Sequence, residues 1–208
     1  AITINSALTT DVANLTLSAG GDITQSAALS VAGTSDFTVT GTNAMTLTQA
    51  NTFTGAITLA SGTGAVQLTD SSATILAAST LGGDLTFTSG GNITQTGIIS
   101  VTGSASFTSS AGSITLSNAS NDLGANLTLD ANNSFNIVTT STLTDLTVTV
   151  DPGSGANTYS LTDSGSQTFS MTTDGTDLTI TDVSNTGAVN QTITATTGNV
   201  TVTNFDST

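Results

Sequence analysis

The side chains able to do chemistry in this chain are few, and nearly all are oxygen or amide groups. Fourteen aspartates carry the whole net charge of -14, and Lys, Arg, His, Cys, Trp and Glu are absent from the 208 residues. The tightest acidic group is Asp174, Asp177 and Asp182, in the run TDGTDLTITD. Paired carboxylates can act as acid and base in glycoside hydrolysis when they flank the scissile bond. They need a cation or a base beside them to set their proton affinities, and no residue type present supplies one. The same three aspartates are the candidates for calcium, which is satisfied by oxygen ligands alone. The GGxGxD nonapeptide of calcium-binding β-rolls is missing, and Gly20-Gly21-Asp22 carries only part of it. The expectation is solvated turn carboxylates at Asp174, Asp177 and Asp182, calcium bound loosely if at all, no catalytic or cofactor-binding residue, and no enzyme.

The same composition bears on partners. Neutralising phosphates takes Lys or Arg, so nucleic acid is not an expected partner, and neither is an anionic lipid surface. No apolar run reaches the length of a membrane-spanning helix. Seven Phe, one Tyr and no Trp make a poor platform for sugar stacking, and Phe37, Phe87, Phe107 and Phe135 sit where a core would want them. Asn-x-Ser/Thr sequons are frequent, but so are Asn, Ser and Thr, and chance alone gives roughly six. Thr-x-Thr pairs recur at Thr38 and Thr40, Thr46 and Thr48, Thr86 and Thr88, Thr147 and Thr149, Thr179 and Thr181, and Thr201 and Thr203. On one flat face such a ladder would resemble an ice-binding surface.

The elements that carry these residues are short. Leu15-Thr16-Leu17, Phe37-Thr38-Val39, Ile57-Thr58-Leu59, Leu85-Thr86-Phe87 and Ile114-Thr115-Leu116 all read apolar, Thr, apolar. In a strand this period of two turns the apolar pair to one face and Thr to the other. Helical periodicity and strong helix formers are lacking, so the chain reads as all-β. A longer pattern overlies this one. LTLSAGGDITQSAALSVAGTSDFTV, from Leu15 to Val39, returns from Leu85 to Ser109 with 12 of 25 positions identical and no gap. Finer spacings recur inside it: Phe37 to Ile57 is 20 residues, and Met45 to Val66 is 21. Equivalent strands every 20–22 residues predict a right-handed parallel β-helix of about ten coils, with equivalent strands stacked about 4.8 Å apart.

Residues 1–208 then form one repeat domain, with super-repeats at 15–84 and 85–154 and a looser third part at 155–208. Pro152 cannot donate to a ladder, which predicts a protruding loop over 151–155. Gly-Gly at 20–21, 82–83 and 90–91 predicts corners that need positive φ or close backbone approach. Asn14, Asp22, Asp84 and Asn92 suit the turns beside them. Gln25 and Gln95 fall where alternation points inward. Either the strand stops at Thr24 and Thr94, or a buried amide bonds the neighbouring turn, and the first is the simpler expectation.

GNITQ, the strand pair in ISVTGSASF, and ITLSNASNDL resemble the repeat regions of filamentous-haemagglutinin-like surface proteins of bacteria, which use two-partner secretion or related routes. The resemblance is best from Leu15 to Val150. It implies a parallel β-helix within a giant extracellular adhesin. The resemblance supplies no receptor, and glycans of a host cell or matrix are the candidate partners beside self-association. The expected function is a rigid, stackable segment or subunit of a surface filament, self-associating end to end or built into a longer array. The alternative is a β-helix that binds or acts on polysaccharides, which requires clustered Asp with Phe or Tyr159 in a groove.

Overall fold

The computed structural model describes residues 1–11, 13–141, 143 and 145–150, and beyond them the strands at 157–162, 168–173, 178–185, 190–195 and 200–207. Side chains are described through 141 (Val12 excepted) and at 143, 146–148 and 161. The expected loop at 151–155 lies outside the described residues.

The chain is all-β, and its strand pairings are parallel, in two sheets of 12 strands each. Ile2, Ile23, Met45, Val66, Leu85, Ala105, Leu127 and Leu146 share one row of the first sheet, each in register with the next. The shortest steps are Val66 to Leu85 and Leu127 to Leu146; the longest are Ile23 to Met45 and Ala105 to Leu127. All stay close to the spacing expected. This is a β-solenoid of about 7 turns with about 20 residues per turn. Pairing continues along the same sheet into Thr168–Thr173 and Asn190–Ala195.

Alternation explains the core. In the strand Leu85–Ser89, Leu85 and Phe87 are buried while Thr86 is exposed and Thr88 half-buried. Phe37, Phe53, Phe87 and Phe107 are fully buried, and the rings of Phe37 and Phe53 meet edge to face at 5.7 Å. Phe135 joins the same cluster, so all four phenylalanines expected in the core are there. Each such side chain contributes about 1.5–3 kcal/mol by leaving water. Stability rests on this burial and on the ladders, because no cationic side chain exists to make an ion pair.

The two copies of the echo do not sit on one side. Leu15–Ala19 and Ser35–Val39 pair in the second sheet, whereas their counterparts Leu85–Ser89 and Ala105–Ser109 pair in the first. Ile23–Gln25 lies in the first sheet and Ile93–Gln95 in the second. Seventy residues at about 20 per turn make three and a half turns, so each copy faces the opposite way from its twin.

Asx side chains stitch the corners between turns. Asn14 Oδ1 accepts from Thr34 N at 2.9 Å, and Asp84 Oδ1 from Ser104 N at 2.8 Å. Asp22 Oδ1 takes Ala44 N at 2.9 Å, and Asn92 Oδ1 takes Ser113 N at 2.8 Å. Of the two reasons for paired glycines, close approach is the one seen. A Cβ at Gly83 would lie 2.5 Å from the Gly64 carbonyl oxygen, and one at Gly90 would strike the Ser71 carbonyl. Positive φ occurs elsewhere among the described residues, at Gly41 and Gly124.

Candidate functional site

The expected end of the strand at Thr24 and Thr94 is corrected by the structure. Both strands run on through the glutamine, at Ile23–Gln25 and Ile93–Gln95, and each amide is partly buried against the following turn. Gln25 Nε2 donates to Asn51 Oδ1 at 2.8 Å, and Asn51 Nδ2 donates back to Gln25 Oε1 at 2.9 Å. Asn51 is 0% exposed; its Oδ1 also takes Leu29 N, and its Nδ2 reaches the carbonyls of Leu47 and Thr69. The second copy repeats this bond for bond. Gln95 and Asn121 exchange two bonds of 2.9 Å, while Asn121 holds Ile99 N and the carbonyls of Leu116 and Val138. A primary amide offers both donors and acceptors, so a Gln–Asn pair closes on itself without charge. Strand alternation put Gln25 and Gln95 inward, but nothing local named their partners, which lie more than a full turn ahead at Asn51 and Asn121.

Beside each amide pair lies a second polar group, and here the copies differ. Asp70 is 0% exposed, and its Oδ1 accepts from Phe53 N, Ser72 N and Ser72 Oγ while its Oδ2 accepts from Thr74 Oγ1. In the second copy Leu123, the counterpart of Phe53, donates its N–H to Ser141 Oγ at 2.7 Å and to Thr139 Oγ1 at 3.2 Å. Ser141 Oγ in turn donates to the exposed Asp122 at 2.6 Å. A shallow cleft of about 340 Å³ opens there, lined by Val101, Thr102, Asp122, Gly124, Ala125, Thr140 and Ser141. Its polar side chains are the Asp122 carboxylate and the hydroxyls of Thr102, Thr140 and Ser141.

The aspartates singled out in the sequence are not brought into a described site. Asp174 and Asp177 lie outside the described residues, and Asp182 falls within the strand Leu178–Asn185, whose side chains are not described. Among the described residues no group of three or more acidic side chains could hold a metal ion. Among them, too, no helix is long and apolar enough to cross a membrane.

The outer face of the first sheet is the most regular surface. One outward row runs Thr3, Thr24, Thr46, Gln67, Thr86, Ser106, Thr128 and Thr147 in register. A second row, two residues further along each strand, runs Thr69, Thr88, Thr108 and Asp130. The six Thr-x-Thr pairs are divided. Those at Thr46, Thr86 and Thr147 start on the first sheet, and those at Thr38, Thr179 and Thr201 on the second. The register, not the pair motif, lines up the hydroxyls.

The strands nearest the amino-terminal end present the remaining candidate surface. Ile2–Ile4, Leu8–Thr10 and Leu15–Ala19 each pair along one edge only. Ile2, Ile4, Leu15 and Leu17 are half-buried, whereas Ile23, Met45 and Phe37 in the turns behind them are 0% exposed.

Fold and surface together define a tandem-repeat parallel β-solenoid whose polar groups tie one turn to the next. The chain belongs to the family described as repeats of unknown function (DUF5649), whose model matches residues 1–60 and 63–130. No curated protein and no solved structure matches it.

Proposed function

We propose that this chain is a rigid, stackable rod within an extracellular surface filament or adhesin of a bacterium, of the filamentous-haemagglutinin-like kind. In this reading the coil is right-handed, and about ten coils spaced about 4.8 Å apart give a rod about 48 Å long. The observation that carries the proposal is the in-register row from Ile2 to Leu146, in which turn stacks on turn over one apolar core. In the turn of Ile2 the strands are paired along one edge, and Ile2, Ile4, Leu15 and Leu17 are half-buried. An open parallel edge over an apolar core is a template for one more coil of the same kind, supplied by a second copy or by a longer array. With no cation and a charge of -14, the rods repel one another at low salt, and screening favours end-to-end contact.

Sedimentation and negative-stain electron microscopy of the chain test this at rising salt. The expected result is rods that lengthen in whole multiples as salt or concentration rises. Ile4→Asp, which puts a charge on the open end, holds them at unit length. Rods of unit length under all these conditions would sink the self-associating form. Shapes other than rods would sink the structural reading itself.

A further inference from the structure

We propose that the outer face of the first sheet binds the surface of growing ice. The inference stands apart from the rod reading and rests on the register of one sheet. In-register parallel strands repeat every ~4.8 Å along the solenoid, and alternate residues of one strand lie ~6.6 Å apart. From Thr86 to Thr128 this net is occupied by Thr86 and Thr88, then Ser106 and Thr108, then Thr128 with Asp130. Its shorter spacing lies close to one repeat of oxygen atoms on a prism face of hexagonal ice, and the longer falls somewhat below the other.

Three physical properties favour a lattice as the partner. The two rows are nearly uncharged: of the chain's 14 aspartates, Asp130 is the one that occupies them over their described stretch, while Asp84 and Asp145 stand at the rim, two residues before Thr86 and Thr147. Its groups are held in place, because a β-branched side chain on a strand has few χ1 choices and each strand is paired on both edges. Little entropy is then lost when the face meets an ordered surface. Each Thr also offers a methyl group beside a hydroxyl that both donates and accepts, so it can order and anchor water together.

The outer face of the second sheet supplies the internal contrast. Its rows carry Asp36, Ala60 and the exposed Ile75, and its strands are broken at Thr74–Leu76 and Ser79–Leu81.

Slow directional freezing of the whole chain is the test, reading the fraction that enters the ice against an acidic protein of similar size. Wild type is expected to be enriched several-fold over that control. Thr108→Tyr and the milder Thr108→Val reduce the enrichment several-fold, Thr115→Tyr on the second sheet leaves it unchanged, and Asp130→Thr raises it. Circular dichroism melting confirms that each variant keeps its fold. Exclusion of the wild type from ice to the same extent as the control overturns the proposal. Equal loss from Thr108→Tyr and Thr115→Tyr overturns it as well.

Discussion

The two copies of the seventy-residue unit solve one problem alike and a second one differently. Both turn a corner in which strand alternation points a glutamine inward. Both answer with a reciprocal amide pair, Gln25 with Asn51 and Gln95 with Asn121, down to the same contacts with a backbone N–H and two carbonyls. The neighbouring N–H is then satisfied by a buried carboxylate, Asp70, in the first copy and by the neutral hydroxyls of Thr139 and Ser141 in the second. A neutral pair that satisfies itself travels with the repeat. A buried carboxylate has to collect its donors one by one from its surroundings, and Ser72, Thr74 and Phe53 provide them only in the first copy.

The comparison can be broken most forcefully at the shared element. Asn51→Leu and Asn121→Leu each strand a glutamine amide and a buried backbone N–H. Each is expected to cost about 4 kcal/mol, from the penalties of several orphaned groups. Urea titration should find the two losses equal within about 1 kcal/mol, since the bonds are the same. A large inequality would mean that one pair is incidental.

The second element should separate the copies. Asp70→Ala orphans Phe53 N and Ser72 N and is expected to cost about 3 kcal/mol. Ser141→Ala leaves Leu123 N its second acceptor, Thr139 Oγ1, and is expected to cost about 1 kcal/mol. Equal losses in the same titration would erase the distinction between charged and neutral solutions.

The smallest effect has the opposite sign. Ser35 is 1% exposed, in an inward position between Leu15 and Ile57, and its Oγ is the buried side-chain atom without a partner among the described residues. The second copy has Ala105 there, 2% exposed. Ser35→Ala is therefore expected to raise stability by about 1 kcal/mol, seen as a higher thermal midpoint. A lower midpoint would show that the hydroxyl is satisfied in solution.

What the sequence made legible follows the range of the interactions. Alternation within Leu85–Ser89 and the spacing of equivalent strands need only local counting, and both strands and turn length are found as read. The Asx corners were legible as turn formers, although not as bridges to the next turn. The amide pairs were not legible, because Asn121, the partner of Gln95, lies beyond the next turn and the ungapped echo stops at Ser109. Past that point, Leu116 stands five residues before Asn121, whereas Leu47 stands four before Asn51. Asn51 and Asn121 keep the seventy-residue offset of Gln25 and Gln95, but Leu47 and Leu116 do not, so the residues leading up to the partner fall out of step. The face of each copy was hidden for another reason. With steps as unequal as Val66 to Leu85 and Ile23 to Met45, the spacing alone does not fix the half-turn, and only the register tells one sheet from the other.

The half-turn has a consequence for how such a chain can change by duplication. A copied unit of seventy residues lands with its parent's front as its back. A substitution that improves one face is inherited by the new copy on the other. Two units, about seven turns or roughly 34 Å of rod, are needed before a feature returns to the side where it arose. Selection acting on a single face would therefore see alternate copies and leave those between them free to drift.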